Sequence, residues 1–176
     1  MRWSVRNIGT ATVVLSVPLL IGSCSLMPVP YPEKPAPVVS QQTLAEIKPV
    51  VKAIEVEIAS FVPVDLVIEL QEKPGGSILD CPGGVNWGSS TAVVMTEHLD
   101  LDQLERDLKA GWPRAADFEF ERSEGPTGNP RLLLRSKSLG QYWVRRVEDG
   151  LQVMSFSACF AYDPLRDGYA WDIAAE

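Results

Sequence analysis

The apolar positions of this chain keep two rhythms. Leu44, Ile47, Val51, Ile54, Ile58 and Phe61 recur at spacings of three and four, the repeat that puts one apolar stripe on a helix. Thr43 and Glu46 stand in capping-box positions at its start. Pro49 lies inside the pattern and has no N–H to give, so a kink, or a start moved to about Lys48, is expected. Pro63 ends the run. The period then changes to two. Val64, Leu66, Ile68 and Leu70 alternate with Asp65, Val67, Glu69 and Gln71, which reads as a strand. Pro74-Gly75-Gly76 is a turn, Ser77 to Cys81 a second short strand, Pro82-Gly83-Gly84 another turn, and Thr91 to Glu97 a third strand.

A second helix follows. Asp100 and Gln103 take capping-box positions, Leu101, Leu104 and Leu108 form one face, and Trp112 continues it. Asp102, Glu105, Arg106, Asp107 and Lys109 make the wet side, and Gly111 and Pro113 stop the helix. Beyond it the chain reads as all strand: Phe118 and Phe120 alternate with Asp117, Glu119 and Glu121, and 132–137, 141–148 and 151–160 follow. Asp149-Gly150 reads as a type I′ hairpin turn. Helix, strands, helix and meander give an α+β domain over residues 41–162, with a mainly antiparallel sheet and two helices packed on one face. Residues 163–176 form an acidic tail expected to be loose, with Trp171 the residue that would dock it.

The first residues carry a different signal. Arg2 and Arg6 precede an uncharged apolar stretch from Ile8 to Gly22, and then comes Ile21-Gly22-Ser23-Cys24. These are the parts of a secretory signal, and the last four residues resemble a bacterial lipobox. There the cysteine thiol takes a diacylglyceryl group and a peptidase cuts before it, small residues letting the backbone enter the peptidase. A membrane-spanning helix needs about 20 apolar residues; this run is shorter and holds Pro18. An ordinary signal cut without lipidation and a buried core helix are the competing readings. The expectation is a signal peptide over 1–23, cleavage between Ser23 and Cys24, and a lipid, palmitate among its acyl chains, on Cys24. Residues 24–40, with alternating prolines from Pro28 to Pro37, favour polyproline II and a semi-rigid tether. The protein is then expected on the cell membrane, lipid-anchored, on the extracytoplasmic side.

Composition changes the picture in two ways. Cleavage would leave 153 of 176 residues, enough for one domain, and losing Arg2 and Arg6 without any acid would take the formal charge from −7 to −9. So acidic a chain repels nucleic-acid phosphates and anionic headgroups, so membrane attachment falls to the acyl chains, of which two hold stably where one is marginal. Of the three cysteines, lipidation of Cys24 leaves Cys81 and Cys159, an even pair in an oxidising compartment. They read as one disulfide, which would place the last strand next to, or across from, an early one. Two separate buried thiols are the alternative.

The layout resembles small actinobacterial lipoproteins of uncharacterised function. The features that carry the resemblance are the Ile21–Cys24 lipobox, Phe61-Val62-Pro63, Ile78-Leu79-Asp80-Cys81, Val85-Asn86-Trp87-Gly88 and Ser155-Phe156-Ser157-Ala158-Cys159-Phe160, covering residues 15–162. The resemblance implies an exported domain with one disulfide and supplies no catalytic residues.

Candidate chemistry is sparse. His98, the one histidine, has Glu97, Asp100 and Asp102 near it, but Asp100 reads as a helix cap and Asp102 as a first-turn acid. Cys81, as a disulfide, cannot attack a substrate, and no G-x-S-x-G occurs. Glu119 and Glu121 read as the wet side of a half-buried strand. No cofactor or metal is expected. Arg131, Arg135, Lys137, Arg145 and Arg146 make a locally basic pair of strands, read as a solvated sheet face before an anion-binding one. Trp87 and Trp143 are the candidate binding aromatics; Tyr142 and Trp143 must point to opposite faces of one strand. The leading expectation is a non-enzymatic envelope domain binding a partner protein or wall polymer. The alternatives are an envelope enzyme, such as a cell-wall hydrolase, and a transporter-associated solute receptor, for which the chain is short. A deep polar cleft around His98 would favour the enzyme, and a flat aromatic patch the binder.

Overall fold

The computed structural model describes residues 39–175. The signal peptide, Cys24 and nearly all of the tether lie outside the described residues. Helix α1 spans Leu44–Ala59, and its capping box forms in full: Thr43 accepts from the Glu46 backbone N–H, and Glu46 accepts from that of Thr43. Pro49 neither ends the helix nor moves its start. The carbonyl it leaves without a donor belongs to Ala45, which is exposed, as is Pro49, so water satisfies what the helix cannot.

Three strands follow: β1 Val67–Glu72, β2 Ser77–Cys81 and β3 Gly84–Met95. Strand β3 starts well before the expected Thr91, because the turn into it is only Pro82-Gly83: Cys81 already pairs with Gly84. Gly83 has φ 86°, so Pro then Gly fill the two central positions as a type II turn asks. Helix α2, Leu101–Gly111, is capped by Asp100. Gln103 does not complete the box; its amide donates to Asp107 instead. After a short 3-10 turn come β4 Glu119–Glu124, β5 Pro130–Ser136, β6 Gly140–Val147 and β7 Gly150–Phe156.

All seven strands join one antiparallel sheet in the order β1-β3-β7-β6-β5-β4, with β2 beside β1 on the same edge of β3. The β6–β7 hairpin is present, but Val147 pairs with Gly150, which leaves Glu148 and Asp149 as its loop. No described non-glycine residue has positive φ, so the expected type I′ turn at Asp149-Gly150 does not form. Gly150 is needed for another reason: a Cβ there would lie 2.0 Å from the Val93 carbonyl oxygen of β3.

Cys81 and Cys159 form the expected disulfide, with Cα atoms 6.2 Å apart. Gly88 of β3 pairs with Ser77 on one side and Phe156 on the other, so β2 and β7 flank β3. The disulfide therefore ties the two neighbours of one strand together around its Gly84 end. The last strand does lie beside an early one, β3 rather than β2 itself.

Helices α1 and α2 cover the same face of the sheet. Ile54, Ile58, Leu104 and Leu108 pack there on Trp87, Val93, Leu132, Leu134, Tyr142, Val144 and Val153. The C-terminal tail is not loose. It forms α3 Pro164–Asp167 and α4 Ala170–Ala175. Ile173, not Trp171, docks it: Ile173 is buried, while Trp171 is 67% exposed and stacks only on Tyr169. Asp167 accepts from the backbone N–H of Leu44, fastening the tail to the start of α1. Ser40 pairs with Phe160, so the folded part begins just ahead of Gln41.

Candidate functional site

Strand alternation sorts the candidate residues by face. On β3 and β7 the odd-numbered residues Trp87, Thr91, Val93, Val153 and Ser155 turn toward the helices. Trp87 is fully buried and is thus a core residue rather than a binding aromatic. The even-numbered residues turn to the opposite face, over which no described helix lies. Cross-strand register places Phe156 and Gln141 there, and beside them Met154 and Trp143. Leu133 continues that row on β5, and Glu121 ends it on β4. Tyr142 and Trp143 do split between faces. Tyr142 is buried under the helices, where burial first and the Glu55 charge second push its hydroxyl well above the ordinary range; it stays protonated and donates to the Leu139 carbonyl.

Trp143, Met154 and Phe156 are each partly exposed, and Leu79 of β2 extends the apolar run at 41% exposure. A largely apolar strip with a tryptophan in it is the kind of surface on which partners find a stacking or packing anchor. The indole N–H of Trp143 is buried and lacks an acceptor within the described residues. The guanidinium of Arg131 lies 5.2 Å from the Trp143 ring centre. Beside the strip a hollow of about 240 Å³ is lined by Lys73, Ser90, Arg145, Gln152, Met154 and Phe156, among others.

The basic residues of β5 and β6 do not act as one set. Arg131, Arg135 and Arg145 share the open face by alternation. Arg135 is offset by Glu121 at 3.6 Å. Arg146 turns the other way, donating to the Leu99 carbonyl near Asp100. Lys137 lines a hollow of about 450 Å³, whose Asp117, Glu119, Arg135 and Lys137 mix both signs.

His98 is exposed beside a hollow of about 100 Å³ lined by Met95, Thr96, Glu97, Glu148, Asp149 and Gly150. No group of three or more His, Cys, Asp or Glu side chains able to hold a metal occurs among the described residues. Glu119 and Glu121 are both exposed on β4, Glu121 in the ion pair above.

One charged residue that the sequence did not single out lies on the covered face. Glu55 is fully buried on the apolar stripe of α1. It accepts from Thr91 of β3 at 2.8 Å, from Ser155 of β7, and from Lys52 at 3.0 Å. Lys52 also reaches the Ser90 carbonyl. Every partner belongs to the helix or the two strands beneath it. This polar cluster fixes α1 over β3 and β7 rather than facing a cavity.

No helix among the described residues is long and apolar enough to cross a membrane. No family model matches the chain, and no curated protein matches it. Among solved structures it is similar to a DUF4853 family protein from Actinomyces odontolyticus ATCC 17982. The two are 19% identical with a TM-score of 0.46, over 77% of this chain and 74% of that one. This is a distant likeness to an actinobacterial protein over most of both chains, too slight to argue function.

Proposed function

We propose that the protein is an extracytoplasmic lipoprotein whose domain binds, without catalysis, a partner at the cell envelope through the open face of its sheet. The observation that carries the reading is the asymmetry of the sheet. Its helix-covered face buries Trp87, Tyr142 and Phe160, while the opposite face leaves Trp143, Met154 and Phe156 partly exposed in two adjoining cross-strand rows. The hollow at His98, about 100 Å³, is small for a substrate cleft, which supports the binder over the hydrolase. In this reading residues 1–23 direct export, Cys24 carries the lipid, and the proline-rich segment to residue 40 holds the domain away from the bilayer.

Anchoring and binding are then separable. Cys24→Ala should abolish fatty-acid labelling; equal lipid incorporation in the variant would refute the lipoprotein assignment. The unlipidated Cys24→Ala chain should still co-sediment with purified cell envelopes. Adding Trp143→Ala and Met154→Ser should release it into the supernatant with its melting temperature changed little. Undiminished sedimentation after both changes would refute the open face as the binding surface.

A further inference from the structure

The open face carries charge that no described residue neutralises, and its placement names a ligand class. Arg131 and Arg145 are directly opposite each other on β5 and β6. Their row continues to Ser123 on one side and Gln152 on the other, with no acid in it. Like charges facing across two strands destabilise a sheet. The acid of the adjoining row on the same face, Glu121, is committed to Arg135. Among the described residues neither Arg131 nor Arg145 has a carboxylate partner. Yet both are held. Arg145 gives two hydrogen bonds to the Gln152 side-chain oxygen, at 2.9 and 2.7 Å. Arg131 is stacked on Trp143 and hemmed in by Gly125, where a Cβ would fall 2.6 Å from a terminal guanidinium nitrogen. Its Nε is buried without an acceptor.

The hollow beside Arg145 repeats the pattern. Lys73 and Arg145 line it, and no Asp or Glu does, in a chain of formal charge −7. Guanidinium groups that are held in place and lack a carboxylate suit charge-assisted bonds to an oxyanion through their remaining N–H groups. The hollow's 240 Å³ is below the roughly 300–1,000 Å³ of sites that enclose a whole small molecule. It suits one unit of a longer chain lying across the sheet. Met154 and Phe156 at its wall offer an apolar surface to the C–H face of a sugar ring.

We propose that Arg131 and Arg145 hold the acid groups of an acidic polysaccharide laid along the Trp143–Met154 strip. This deepens the binding-face reading and rests on it. The test is binding of the full-length chain to polygalacturonate and to dextran sulfate, with neutral dextran as control. Both or either acidic polymer should bind, the preference telling carboxylate from sulfate, and added salt should weaken binding. Arg131→Gln with Arg145→Gln should lower affinity by at least about tenfold, from lost charge-assisted hydrogen bonds. Without polymer, Arg145→Gln alone should keep or raise the melting temperature, since it relieves a like-charge pair; a purely structural arginine would lower it. Binding of neither acidic polymer, equal binding by the double variant, or equal binding of neutral dextran overturns the proposal. Envelope material crosslinked to the open face with no acidic polymer bound would leave the binding face standing and refute this ligand class alone.

Discussion

Glu55→Leu should destabilise the domain far more than removal of one surface acid. Leucine keeps most of the volume, so the loss comes from polar groups rather than a cavity. It strands the Thr91 and Ser155 hydroxyls, both fully buried and both bonded to Glu55. A buried polar group left without a partner costs about 1–3 kcal/mol. Lys52 contributes less, because its side chain is 19% exposed and can turn to water. Set against relief from burying a carboxylate, the net loss is about 3 kcal/mol. For a domain of this size that lowers Tm by roughly 10 °C. The triple change Glu55→Leu, Thr91→Val, Ser155→Ala removes donors and acceptor together and should recover most of the loss. Thermal and urea unfolding of the wild type, the single variant and the triple variant measure both quantities. A loss below about 1 kcal/mol for Glu55→Leu, within the range of ordinary substitutions, or a triple variant less stable than the single one, would refute the role given to this cluster.

Two further outcomes follow from the termini and the disulfide. Reducing Cys81–Cys159, which closes a separation of 78 residues, should lower stability by up to about 4–5 kcal/mol on the chain-entropy model; unchanged urea midpoints with and without reductant would contradict this. At Asp167 burial works to raise the carboxyl, but hydrogen bonds from Arg166 and from the backbone N–H groups of Asp163 and Leu44 outweigh it, lowering the pKa from 3.8 to about 2. A depressed folded pKa stabilises above the unfolded value and is lost on acidification, so about 2 kcal/mol should disappear between pH 4 and pH 2. Asp167→Asn should flatten that part of the pH–stability curve, and an unaltered curve would argue against the link from α3 to α1.

How much of this was legible in the sequence depended on what each signal measures. The apolar stripes of α1 and α2, the capping box of α1, the Asp100 cap of α2 and the disulfide were readable because each is local or arithmetical. The first half of β3 was not, since Asn86-Trp87-Gly88-Ser89-Ser90 lacks the β-branched run that marks a strand; its pairing on both sides supplies what propensity does not. Pro49 stays inside α1 because the Ala45 carbonyl it leaves unpaired faces water, which the local sequence does not reveal. Glu55 is marked in the sequence by its spacing: it follows Val51 by four residues and precedes Ile58 by three, inside the stripe that is otherwise apolar. Trp87 and Trp143 could not be separated, because periodicity gives which residues share a face but not which face a helix covers. Ile173 out-competed Trp171 for the same reason: docking follows the helix phase of α4 rather than side-chain size.

The proposed binding surface is the open face of the sheet, not the helical side. A photo-crosslinking amino acid placed singly at Gln141 or Gln152 on the open face, and at Arg106 or Asp107 on the outer side of α2, tests it in intact cells. The expected result is a covalent adduct of raised mass from Gln141 and Gln152 and none from Arg106 and Asp107. Adducts from the α2 positions alone, or from all four equally, would contradict it.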